Sequence, residues 1–276
     1  MLDAISKIVV VLNNFEKADK ILEKALTLSI HQKAVLEILY VHEEPLFDLP
    51  DYFRLKDSIG DDFIDKEKIK KEIKERLSKL GRSEDCAILV FVDDTVDRVL
   101  TQTKEPNETL VVTAYEDKIT EKLLTKSDAS FLVIKNDKKS YEDIVMPVDL
   151  SENSLACIRV AKMLFPQSKI RLLYDNYYIF LDEVKEKEKA LFETLKKETN
   201  LEGDYIQEHV VTEIEFVDEM YAIEKHLAAF IKMHNFDLII LYSHHRDFAF
   251  SESISFALLE MLHSDILLLK NHHERV

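Results

Sequence analysis

The sequence predicts an α/β protein made of two tandem doubly wound domains, each with a five-stranded, mostly parallel sheet flanked by helices. Two observations carry this. Short continuous apolar runs alternate with amphipathic stretches along the chain, and the second half repeats the order of the first. Continuous rather than alternating apolar strands are strands buried on both faces, and the intervening helices are the crossovers a parallel sheet needs. The expected domains are residues 1–136 and 141–276, separated by the polar run NDKKSYED, Asn136 to Asp143.

Taken in order, SKIVVVL from Ser6 is a β-branched strand, and FEKADKILEKALTLS continues it with apolar residues at helical spacing. VLEILYVHEE at Val35 gives the second strand, CAILVFVDD the third and ETLVVTAY the fourth. KLLTKSDASFLVIK closes the half with a helix and a fifth strand. In the second half, EDIVMPVDLSENSLACIRVAKMLF from Glu142 matches the opening, placing Asn13 opposite Asp149. KIRLLYDNYY, EHVVTEIEF, FDLIILYS and EMLHSDILLLK follow in the same order, and both halves carry Ser-Asp before the last strand, Ser127-Asp128 and Ser264-Asp265. The charged stretches DKEKIKKEIKERLSKL and LDEVKEKEKALFETLKKE fall at equivalent places and read as helices with solvated Glu/Lys faces.

Composition bounds the rest. The chain has 276 residues and 46% hydrophobic content, enough for real cores. Its formal net charge of -16 opposes nucleic acid and anionic lipid. No apolar run approaches the roughly 20 residues of a membrane span, and the N-terminus lacks the pattern of a secretory leader, so a cytoplasmic protein is expected. Cys86 and Cys157 sit apart in apolar stretches and read as buried thiols rather than a disulfide or zinc site. His244-His245, His263 and His272-His273 are not spaced as a metal site, and His42-Glu43-Glu44 reads as a solvated loop on the edge where such folds bind ligands. His209, His226 and His234 read as structural. No Walker loop, nucleophile elbow, CxxC or HExxH occurs.

IVMPVDLSENSLACIRVAKML, RLLYDNYY, DLIILYSHHR and LLEMLHSDILLL together resemble the universal stress protein family, strongly from Asp143 to Lys270 and more weakly from Ser6 to Lys135. The resemblance implies a Rossmann-like sheet of the adenine nucleotide α-hydrolase kind in each half. In the family's nucleotide-binding branch it implies ATP at the carboxyl ends of the strands. Asp149 matches the acid that contacts adenosine, and Tyr174 and Asp175 fall beside the base. The family's glycine-rich loop aligns Tyr242, His245 and Ile254 with its three glycines, leaving Ser243, His244, Arg246 and Ser255 as matches in type. A phosphate wrapped by backbone N–H groups needs a tight turn without Cβ atoms, which these residues obstruct. The serines Ser251, Ser253 and Ser255 read first as helix capping. In the first half only TAYEDK stands between the fourth strand and its helix, adding Glu116 and Asp117, and no nucleotide is expected there.

The expected protein is therefore a tandem universal stress protein without catalytic residues or a required cofactor, a stress-response or signalling module acting through protein contacts or a small ligand. The alternative is ATP binding, with at most slow hydrolysis, in the C-terminal domain alone. An adenylating enzyme is disfavoured because VDLSENS and LNNFEKA lack the pyrophosphate loop after the first strand. As in the family, the fifth strands are expected to pair the two domains with each other or to form a homodimer.

Overall fold

In the computed structural model, residues 4–43, 64–81, 86–175, 182–206, 222–244 and 251–271 are described. The chain divides into two units, one of Ala4–Ile134 and one built on Lys135–Val276.

The N-terminal unit runs β1 (Lys7–Leu12), α1 (Ala18–Gln32), β2 (Val35–His42), α2 (Lys66–Lys79), β3 (Ala87–Val92), α3 (Thr95–Gln102), β4 (Thr109–Ala114), α4 (Asp117–Lys126) and β5 (Ser130–Ile134). Its strands lie in the order β3-β2-β1-β4-β5, all parallel. The C-terminal unit runs β6 (Asp143–Pro147), α5 (Glu152–Leu164), β7 (Lys169–Asp175), α6 (Asp182–Thr199), β8 (Glu202–Ile206), α7 (Ala222–His234), β9 (Leu238–His244), α8 (Ser251–Met261) and β10 (Asp265–Asn271). It repeats the order as β8-β7-β6-β9-β10, again parallel. The doubly wound parallel fold expected from the apolar runs is the fold observed. In each unit the order reverses beside the first strand, between β1 and β4 and between β6 and β9. Such switch points are where open α/β sheets form a ligand crevice.

The cores follow from the sequence. Every residue of β4 and β5 is buried, as are Ile8 to Leu12 of β1 and Ile144 to Met146 of β6. Helix α1 buries Ile21, Leu22, Ala25, Leu26 and Leu28, residues three and four apart on one face. On α2, Lys70 pairs with Glu67 and Arg76 with Glu72, while Arg76 also reaches Asp19 of α1 at 2.6 Å. The charged stretch thus bridges two helices as well as solvating its own face.

With three glycines in the chain, Gly81 turns left-handed after α2, and three other helices end on non-glycine residues in that conformation. Lys33, Asn200 and Asn235 follow α1, α6 and α7 with φ of 55°, 50° and 52°. Asparagine tolerates this region, whereas lysine has no local compensation.

Two expectations change. The strand beside β7 is Glu202–Ile206, ahead of the apolar run EHVVTEIEF, which lies outside the described residues. Gly203 explains why its sequence is a weak strand signal: a Cβ there would stand 2.8 Å from Phe192 Cζ and 2.9 Å from the Leu172 carbonyl. Cys157 is buried, but Cys86 is only half-buried because it precedes β3, an edge strand. No helix among the described residues is long and apolar enough to cross a membrane.

The polar run between the halves is bound into the C-terminal unit. Fully buried Asp265 accepts hydrogen bonds from the Lys135 and Asn136 N–H groups at 2.7 and 2.9 Å and from the Tyr141 hydroxyl at 2.6 Å. Asp237 accepts from the N–H groups of Glu142 and Asp143 at 2.8 and 2.9 Å and pairs with Lys138.

Candidate functional site

In the C-terminal unit, β6 stops at Pro147, which has no N–H to extend a ladder, and the chain turns into α5 through Val148, Asp149 and Leu150. Leu150 adopts φ 61°, a costly conformation for a branched residue, at the tip of the crevice. Asp149 Oδ1 accepts hydrogen bonds from the Ser151 N–H (3.0 Å), the Ser151 hydroxyl (2.5 Å) and the Ser154 hydroxyl (2.6 Å). Ser151 caps α5 by accepting from the Ser154 N–H. Burial, and then the Asp149 charge, push the Cys157 thiol well up.

Topology brings several predicted residues to this edge. Ser243 and His244 end β9, and Asp175 ends β7, all on the side where Asp149 follows β6. Tyr174 is buried, stacks on Phe192 with centroids 5.7 Å apart and donates to Glu188, so its ring belongs to the α6 contact. Ser255 lies inside α8 and is buried. Tyr242 and Ile254, which the resemblance aligns with glycines, fall in β9 and α8. Arg246 and His245 lie outside the described residues, as do Glu44, His209 and His272-His273. Among the described residues no group of three or more His, Cys, Asp or Glu is placed to hold a metal ion.

The equivalent edge of the N-terminal unit gathers side chains from four separate loops. Asn13, after β1, donates from Nδ2 to Thr95 Oγ1 at 3.2 Å and to Glu116 Oε2 at 3.4 Å. The Thr95 N–H, at the start of α3, donates to Glu43 Oε1 at 3.4 Å. Burial and the neighbouring Glu43 charge raise the Glu116 carboxyl above its usual range, with Lys17 acting in the opposite sense. Donors that a phosphate would need already face carboxylates. A cavity of about 230 Å³ opens here, lined by Val11, Leu12, Ile21 and Ala114 below and by Asn13, Glu16, Lys17 and Glu116 at its polar rim.

Sequence reading named Asn13, Glu43 and Glu116 separately, but nothing local joins them. Their common signal is position, each at or just past the carboxyl end of a strand. A wider open groove of about 700 Å³ runs past Arg171, Lys196 and Asp204 at the start of β8. Arg171 is paired there with Asp204 at 3.2 Å, and the groove lies by the amino end of β8, away from the carboxyl ends of the strands where Asp149 stands.

Neither protein-family models nor curated proteins show a match to the sequence. Solved structures do match, across nearly the whole chain. A protein from Pseudomonas aeruginosa UCBPP-PA14 assigned to the universal stress proteins is 13% identical, with 98% of this chain and 94% of that chain covered at a TM-score of 0.71. A functionally unknown protein from Pseudomonas aeruginosa PAO1 is 13% identical over the same shares, with a TM-score of 0.68. A universal stress protein from Archaeoglobus fulgidus DSM 4304 is 14% identical, covering 96% of this chain and 97% of that chain, with a TM-score of 0.63.

Proposed function

The chain has the fold of these universal stress protein structures over nearly its whole length, and we propose that it works as a non-catalytic tandem module of that type. It acts in the cytoplasm through protein contacts or a small ligand. One observation carries the reading: the loops that follow the switch-point strands β1, β4, β6 and β9 contain no glycine to let backbone N–H groups wrap a phosphate. In the C-terminal unit Tyr242 and Ile254 occupy a strand and a helix where a glycine loop would stand. In the N-terminal unit Glu43 and Glu116 face the available N–H and amide donors.

A second reading is favoured by Asp149, an acid at the end of β6 beside the β9 terminus: ATP held in the C-terminal unit alone. Calorimetric titration of the full chain with ATP, ADP and AMP separates the two. The first reading expects dissociation constants weaker than about 1 mM. Micromolar affinity for ATP, lost in Asp149→Ala and in Asp149→Asn while the fold is kept, would overturn it in favour of the second.

A further inference from the structure

The N-terminal crevice is smaller than the roughly 300–1,000 Å³ of drug-sized sites. At roughly 30 Å³ per water-sized group its volume of about 230 Å³ holds seven or eight heavy atoms. Its buried lining is aliphatic: Val11, Leu12, Ile21 and Ala114 offer no side-chain hydrogen bond, and Asn14 and Tyr115 complete the wall. Its rim supplies acceptors. Glu16 and Glu116 line it, and Glu43 stands close enough to act on Glu116, against the ammonium of Lys17 among the described lining residues. We propose that this crevice binds a small organic ammonium compound, its charged nitrogen on the Glu116 carboxylate and its carbon skeleton on the aliphatic floor.

Several observations select that class. The Glu116 carboxylate is half withdrawn from water, and among the described residues it accepts one long hydrogen bond, 3.4 Å from an uncharged amide. An ammonium donor would replace a weak contact with a charge-assisted one. Burial and the Glu43 charge both hold the Glu116 proton more tightly, which is the mark of a carboxylate short of positive charge. A divalent ion is disfavoured because no three ligating side chains converge among the described residues. An anion is disfavoured by the three carboxylates. The apolar floor favours a ligand with methylene groups over ammonium itself.

This gives the small-ligand arm of the proposed function a chemical class, and it resides in the other unit. An ATP titration with Asp149 variants and an amine titration with Glu116 variants therefore succeed or fail separately. The test is titration of the full chain with 1,4-diaminobutane and n-butylamine, followed by calorimetry at about 0.15 M salt, where diffuse attraction to an acidic surface is screened beyond about 8 Å. The expected result is one site per chain, weakened roughly tenfold or more in Glu116→Gln, since a charge-assisted hydrogen bond is lost. Glutamine still accepts from Asn13, so an unchanged melting temperature shows the variant folded. Affinity should also fall as the medium is acidified and Glu116, with Glu16 and Glu43 beside it and Lys17 opposite, takes up protons. Absence of saturable amine binding, or equal binding by Glu116→Gln, overturns the proposal.

Discussion

Replacing Asp265 tests whether the polar run between the halves is an integral part of the C-terminal unit. Asp265 is fully buried and accepts from the Lys135 and Asn136 N–H groups at 2.7 and 2.9 Å and from the Tyr141 hydroxyl at 2.6 Å. Hydrogen bonds to a charged acceptor contribute about 1.5–3 kcal/mol each, so three bound the loss at roughly 4–9 kcal/mol. The backbone donors are half-buried and regain some water on truncation. Asp265→Ala should therefore cost about 3–5 kcal/mol, the range for stranding the partners of a buried charge. With a urea slope of about 2 kcal/mol per M, the midpoint of the C-terminal unit falls by roughly 2 M. Asp265→Asn keeps an acceptor for the two N–H groups and should lose less. Because two units need not unfold together, amide exchange is the cleaner readout. Lys135 and Asn136 should lose protection in Asp265→Ala while the amides of β1 and β4 keep theirs. A midpoint shift below about 0.5 M with protection unchanged would show that the run is held by something other than Asp265.

Two further outcomes follow from named contacts. Gly203→Ala should destabilise by about 1–3 kcal/mol through overpacking, since its Cβ would lie 2.8 Å from Phe192 and 2.9 Å from the backbone of Leu172. Pairing it with Phe192→Leu should recover part of that loss in chemical denaturation, and a neutral single variant would contradict the packing. Burial alone would raise the Asp237 carboxyl, but the Asp143 N–H, the Lys138 ammonium and the Glu142 N–H outweigh it and hold the group below its usual range. A lowered folded value means the carboxylate stabilises fully above the unfolded value of about 3.9, and that contribution disappears as pH falls through the folded value. Asp237→Asn should thus lose stability at pH 7 and converge on the parent in strong acid. Parallel stability curves across that range would refute the assignment.

How much of this was legible in the sequence depended on whether a feature is local. Strands such as β4 and β5 are buried on both faces, so their apolar runs announce them. The edge strand β8 is paired on one side only and carries Gly203 to admit Phe192, which leaves EGDYI weaker as a signal than the run that follows it. Lys33 in left-handed conformation was illegible because only glycine or asparagine advertises that region. The position of Asp149 was legible because it follows a strand that the repeat locates. The cluster of Asn13, Glu43, Thr95 and Glu116 was not, because it is assembled from four loops by strand order alone.

The pairing of Asn13 with Asp149 across the repeat carries the last step. An amide can donate, and it faces Glu116; a carboxylate accepts, and it faces the donors Ser151 and Ser154. Each unit has thus answered its own crevice residue from within, so any ligand competes with an internal partner. A nucleotide hydroxyl arriving at Asp149 must contend with three donors on Oδ1, the longest at 3.0 Å. An ammonium arriving at Glu116 contends with one amide at 3.4 Å. By these contacts the internal partner at Glu116 is the weaker one, so a ligand is to be sought first in the N-terminal unit.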